Sequence, residues 1–111
     1  MATAVLSRLS VSGELRPGRT IEARWICNHP METGFRVDDA GQRIARHLIT
    51  QVQCRLNGEL ILQATPGTGW SSPAYLAFSL VVPAQGGTVV VNWLDDQGAQ
   101  GQVAQRLVLL P

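Results

Sequence analysis

The sequence predicts an all-β fold, a two-sheet antiparallel β-sandwich of about seven strands. Three observations predict it. Apolar and polar residues alternate along several short runs, the period of a half-buried strand. No segment keeps a helical period for three turns. Turn-forming residues, among them Pro17-Gly18, Asn57-Gly58, Gly86-Gly87 and Gly98, recur between the runs at regular spacing. With 111 residues and 45 % hydrophobic content, the chain is one domain, residues 1–111, with enough apolar mass for a core.

The elements follow in order. Residues 5–11 are short and β-prone, an opening edge strand. Pro17-Gly18 turns the chain into a strand over 20–27, with Ile21, Ala23, Trp25 and Cys27 inward and Glu22 and Arg24 in water. Residues 38–42 make a polar turn closed near Gly41. Residues 43–49 read as a helical turn or, given their length, an extended approach to the next strand. That strand spans 50–56, with Val52, Cys54 and Leu56 inward. Asn57-Gly58 between two β runs signals a hairpin, so 59–64 returns. Residues 65–73 form a long loop or sheet crossover in which Trp70 packs onto the sandwich edge. Its glycines, Gly67 and Gly69, do not match a phosphate-binding pattern, and neither Lys nor helix follows. A strand over 75–82 puts Leu76, Phe78, Leu80 and Val82 on one face. Tyr75, Ala77, Ser79 and Val81 take the other. A strand over 88–94 turns Val89, Val91 and Trp93 inward, Asp95 to Gly98 turn the chain, and 102–110 closes the fold with Val103, Leu107 and Leu109 inward.

The densest set of chemically capable groups is the stretch from Asn28 to Asp38. Pro30 lacks an N–H and holds His29 out of helical geometry, and Gly34 supplies a positive φ. The stretch reads as an ordered loop leading away from the sheet. A metal site would use His29 with Glu32 or Cys27, yet zinc needs three or four convergent ligands, the chain offers besides these only His47, Cys54 and scattered carboxylates, and no CxxC or HExxH spacing is present. A nucleophilic enzyme would pair His29 with a cysteine, but Cys27 has inward parity and no GxSxG elbow occurs. The plain alternative is a loop whose His29 and Glu32 bond to its own backbone, with Arg36 paired to Asp38 or Glu32. Catalytic residues, metal ligands and cofactors are therefore not expected. Cys27 and Cys54 fall with the apolar members of their strands and are expected in the core, as two buried thiols or as a disulfide.

Charge is informative in its distribution. The net +1 gives no global attraction to nucleic acid or an anionic membrane. Eight of the nine Arg occur by Arg55, there is no Lys, and residues 60–94 hold no charged side chain. Such a strip is too apolar for an ordinary wet face and too polar for a second core. It suggests a covered surface, with Tyr75 and Trp70 as aromatic anchors, Ala77, Ser79 and Val81 beside them, and Thr88, Val90 and Asn92 continuing the strip; the alternative is a compositional bias toward Gln, Ser and Thr, with any contact on the Arg-rich first half. A near-obligate heterodimer subunit is the resulting expectation. No run reaches transmembrane length, and residues 1–6 lack the basic and apolar regions of a secretory signal, so residues alone suggest the cytoplasm.

Several blocks together resemble a known family. The run from His29 through Pro30, Met31, Glu32, Thr33, Gly34 and Phe35 to Arg36, followed by Asp38, Gly41, Ile44 and Arg46, resembles the signature of SoxZ, a subunit of the SoxYZ sulfur carrier of bacterial thiosulfate oxidation. Cys54 to Glu59, then Pro73, Tyr75, Leu76 and Phe78, and finally Trp93, Asp95 and Asp96 are similar to its later blocks. The chain departs from the pattern at Ala45, at Cys27-Asn28 and at the inserted Ala74. The resemblance implies an immunoglobulin-like fold and a non-catalytic subunit. Its partner SoxY carries the cysteine-bearing arm, and the end Leu109-Leu110-Pro111 fits the Z role. It implies that His29, Pro30, Met31, Glu32, Gly34 and Arg36 form a loop presented to SoxY or to the visiting enzymes SoxXA, SoxB and SoxCD. It also replaces cytoplasm by periplasm, with export alongside the signal-bearing Y subunit. The alternatives are a small metal- or thiol-dependent enzyme using His29, or an immunoglobulin-like structural domain without a sulfur role.

Overall fold

The alternating runs become strands because their apolar residues share one side of a pleated backbone and can be buried together. The computed structural model describes residues 5–66 and 69–111, so Gly67 and Thr68 of the long loop lie outside it. Seven strands are present: β1 (Ser7–Ser12), β2 (Thr20–Cys27), β3 (Ile49–Leu56), β4 (Glu59–Ala64), β5 (Ala74–Val81), β6 (Gly87–Asp95) and β7 (Gln100–Leu107). A three-stranded sheet has the order β1-β2-β5, and a four-stranded sheet the order β4-β3-β6-β7. All pairings are antiparallel. The pairs β1–β2, β3–β4 and β6–β7 are sequential neighbours, while the chain changes sheet after β2, β4 and β5. This is an immunoglobulin-like sandwich.

The core lies between the sheets. Ile21, Ala23, Trp25 and Cys27 of β2 meet Val52 and Cys54 of β3 and Val89, Val91 and Trp93 of β6 in one buried cluster. Full burial of an aliphatic side chain of this size contributes about 1.5–3 kcal/mol. Leu62, Trp70, Leu76, Phe78, Val103 and Leu109 pack partly buried against it.

Some boundaries differ from the sequence reading. The first strand is shifted to Ser7–Ser12, β6 runs on to Asp95, and β7 stops at Leu107, three residues short of 110. Residues 43–48 are not helical. They run back along the loop after β2, with bridges Val37–Arg43 and Glu32–His47. Asn57 and Gly58 both have positive φ, 52° and 84°, the geometry of a type I′ hairpin.

One correction concerns the uncharged strip. Tyr75, Ala77, Ser79 and Val81 are exposed on the outer face of the three-stranded sheet. Thr88, Val90 and Asn92 are half-buried on the outward side of β6, in the centre of the other sheet. The two sets therefore point away from each other across the sandwich. Strand parity tells in from out but carries no information about which sheet a strand joins.

Candidate functional site

The loop after β2 is built from its backbone outward. Asn28 clamps the end of the sheet, donating its N–H to the Leu6 carbonyl at 3.0 Å and accepting from Leu6 N–H at 2.6 Å through Oδ1. Pro30 follows His29, and Met31 takes a positive φ of 51°, uncommon for a side-chain-bearing residue. This reverses the chain so that Met31 N–H donates to His29 Nδ1 at 3.1 Å. Glu32 and His47 then exchange two backbone hydrogen bonds of 2.8 Å. Gly34, at φ 91°, lies against Arg46; a Cβ there would sit 3.2 Å from the Arg46 Cβ, and the conformation itself disfavours a side chain. Ile44 N–H donates to the Arg36 carbonyl, and Asp38 Oδ1 caps the tip by accepting from Ala40 and Gln42 N–H at 2.9 Å each.

The loop turns back against the end of the sandwich, and there it meets the start of the β6–β7 turn. His29 Nε2 lies 3.0 Å and His47 Nε2 2.7 Å from the same oxygen, Oδ2 of Asp95. The other oxygen, Oδ1, accepts N–H bonds from Gln97 at 3.0 Å and Ala99 at 2.8 Å. The side chains of His29 and Asp95 are fully buried, and that of His47 is 24 % exposed. Burial pushes the Asp95 carboxyl upward. Bonds from His29, His47, Ala99 and Gln97 outweigh it and hold the group below its usual range. Next door, Asp96 Oδ1 accepts from Leu48 N–H at 3.0 Å, and its Oδ2 pairs with Arg46 Nε at 3.1 Å. The loop is thus tied to the β6–β7 turn by two consecutive carboxylates.

This arrangement suits a structural latch better than a metal centre, although His29, His47 and Asp95 place one ligand atom each within 4.8 Å of one another. Met31 N–H aims at His29 Nδ1, which makes Nδ1 an acceptor and puts the imidazole proton on Nε2. A ligating histidine has the reverse arrangement: its bare nitrogen faces the metal and its other N–H faces an acceptor. Glu32 and Cys27 do not join the set. A nucleophile is also missing from the cluster. Among the described residues both imidazoles bond through Nε2 to Asp95, and Nδ1 of His29 accepts from Met31 N–H.

Both cysteines are buried and unpaired. Burial raises the Cys54 thiol to about 11 and also raises Cys27, the latter partly offset by a bond from the His29 backbone. Thiols held protonated in this way are weak nucleophiles.

The loop residues divide by placement. His29 and Met31, expected on a presented surface, are instead buried at 0 % and 6 % exposure, because the positive φ at Met31 folds both against the core. Met31 Sδ even accepts from Ile49 N–H at 3.5 Å. Pro30, Phe35 and Arg36 are exposed, and Glu32 and Gly34 are half-buried. Arg36 pairs with Glu32, with Nε to Oε2 at 3.1 Å, and not with Asp38. That hydrogen bond lowers the Glu32 carboxyl and raises the Arg36 guanidinium. Trp70 lies beside this loop: an open groove of about 420 Å³ runs between them, lined by Met31, Glu32, Arg36, Trp70 and Ser71 among others. Tyr75, 53 % exposed, shares a smaller pocket with Trp70 and pairs across strands with exposed Ile26. Loop and uncharged strip are therefore neighbours.

Asp95 escaped the sequence reading as a site residue, and His47 entered it only as one of the chain's possible metal ligands. The parity of Val89, Val91 and Trp93 does extend to position 95, and a carboxylate on an inward position needs a buried partner. That signal was present. Its partners lie 66 and 48 residues away, a separation that no local pattern reports.

Comparison with known proteins gives one family. Residues 11–105 match the family described as sulphur oxidation protein SoxZ. No individual curated protein matches significantly. The match spans every strand from the end of β1 to near the end of β7, and with it the loop, Asp95 and the uncharged strip. The chain belongs to the SoxZ family.

Proposed function

We propose that the chain meets its partner through the outer face of β5 and uses the neighbouring loop for more transient contacts. Family membership makes it a non-catalytic subunit of the SoxYZ sulfur carrier, with SoxY as its partner. The observation that carries the proposed placement is the exposed, uncharged row Tyr75, Ala77, Ser79 and Val81, with Trp70 and Ile26 beside Tyr75 and the Glu22–Arg24 ion pair of β2 alongside Ala77 and Ser79. Exposed apolar surface of this kind marks association sites, and large aromatic side chains anchor them. The pairs Glu32–Arg36 and Arg46–Asp96 give the loop a charged, geometrically fixed rim. Such a rim fits brief encounters with SoxXA, SoxB and SoxCD, where charge sets the encounter rate more than the affinity.

The reading also places the complex in the periplasm, the chain travelling folded with a signal-bearing SoxY subunit. Cell fractionation checks this: removing the signal from SoxY alone should leave both subunits in the cytoplasm, and export of this chain regardless would refute it. For the interface, Tyr75→Glu should abolish co-purification with SoxY while Arg36→Ala leaves it intact. The opposite pattern would move the contact to the loop.

A further inference from the structure

We infer that the free edge of β5 receives an added β-strand from the SoxY subunit, which closes the open side of the sandwich. This rests on the reading that β5 belongs to the partner interface, and it specifies how the contact is made.

The sandwich has four edge strands: β1 and β5 in one sheet, β4 and β7 in the other. Its two sides are not alike. β1 and β7 pack against each other and close one side. Between β4 and β5 a cleft of about 350 Å³ remains, lined by Leu56, Ile61, Leu62, Phe78, Leu80 and Val81. Leu56, Leu62 and Phe78 pack against the core, yet each stays only partly buried. Core side chains on the open side thus still reach water.

The edges also differ in how they are guarded. Edge strands of monomeric proteins carry charges or prolines that block pairing with another chain. β1 has Arg8 and β7 has Arg106, both exposed. β5 reads AYLAFSLV, with no charge and no proline, and β4 has only Glu59 at its first position. In an antiparallel pair every second residue turns its N–H and C=O away from the partner strand. Among the described residues β5 pairs only with β2, so its outward row of backbone groups is free.

The chemistry of that row defines its occupant. Alternating free donors and acceptors are satisfied by an extended backbone, which is the basis of strand addition. The uncharged edge and apolar cleft call for alternate apolar side chains on the added strand, since a charge buried there would find no counter-charge. The family partner is the macromolecule available to supply it.

Amide hydrogen exchange on the chain alone and on its complex with SoxY tests this, with Tyr75→Glu measured in parallel. Strand addition predicts that alternate amides of 74–81 slow by about tenfold or more in the complex. A complex that Tyr75→Glu weakens, but in which those amides exchange as fast as in the free chain, overturns strand addition and leaves the interface reading standing. Unaltered exchange together with a complex indifferent to Tyr75→Glu removes both. Concentration-dependent protection of the same amides in the isolated chain would assign the edge to a second copy and overturn the assignment to SoxY.

Discussion

At the scale of single residues, Asp95 decides the most. One carboxylate accepts from two imidazoles and two backbone N–H groups and thereby joins the loop to the β6–β7 turn. An amide in its place offers one acceptor oxygen and turns an N–H group toward donors. Asp95→Asn should therefore cost roughly 3 kcal/mol, since hydrogen bonds to a charged group contribute about 1.5–3 kcal/mol each. The pH dependence has a definite sign. The folded-state pKa lies below the ordinary 3.8, so the stabilisation is fully present above that value and is lost as pH falls through the folded pKa. Urea unfolding from about pH 4 downward should show the wild-type advantage over Asp95→Asn shrinking as the carboxylate takes up its proton. The thiols give a second check. A bulky thiol reagent near pH 8 should leave Cys27 and Cys54 unlabelled in the folded chain and react with both in urea. Rapid native labelling would contradict their burial. The chemistry of His29 was legible in the sequence; its direction was not. Reversal at Met31, a residue without the conformational freedom of glycine, has no local sequence signature.

At the scale of elements, the sequence carried most of the strand layout. Period-two alternation needs only neighbouring residues, so β2, β3, β5 and β6 stood out where one face is buried. The segment 43–48 did not, because it pairs with a loop and not with a regular strand. The Asn57-Gly58 hairpin shows how local and distant roles combine. Asn57 Oδ1 accepts from Thr88 N–H at 2.9 Å and its Nδ2 donates to the Gly86 carbonyl at 3.2 Å, so the β3–β4 turn also fixes the start of β6. Gly58, at φ 84° with open space around it, isolates the backbone contribution. Gly58→Ala should destabilise by about 1–2 kcal/mol, the cost of left-handed geometry for a residue with a Cβ. Asn57→Ala should cost more than Gly58→Ala, because it also puts Ala at a positive φ and removes two side-chain hydrogen bonds to the start of β6. Thermal unfolding of the two variants checks the order, and equal losses would deny Asn57 its reach to β6.

For the whole molecule, the proposed mode of assembly turns on the asymmetry between the two sides of the sandwich. One side is closed by β1 and β7 and bears Arg at both edges; the other is open and apolar, with Glu59 of β4 as the charge on its edge strands. Charge distribution along the sequence foretold an uncharged surface but not its division between sheets, since sheet membership depends on pairings between residues far apart in the chain. The proposed function implies two modes of contact. A partner seated on the β5 face would remove apolar area from water and should be insensitive to screening, while encounters through the Glu32–Arg36 and Arg46–Asp96 rim should weaken with salt. The most direct test is the dissociation constant of the complex with SoxY measured from about 50 mM to 1 M sodium chloride, a range over which the screening length falls several-fold. This account predicts an affinity that holds or rises across the series. An affinity that falls steeply with salt would place the partner on the Arg-rich half of the chain and contradict it.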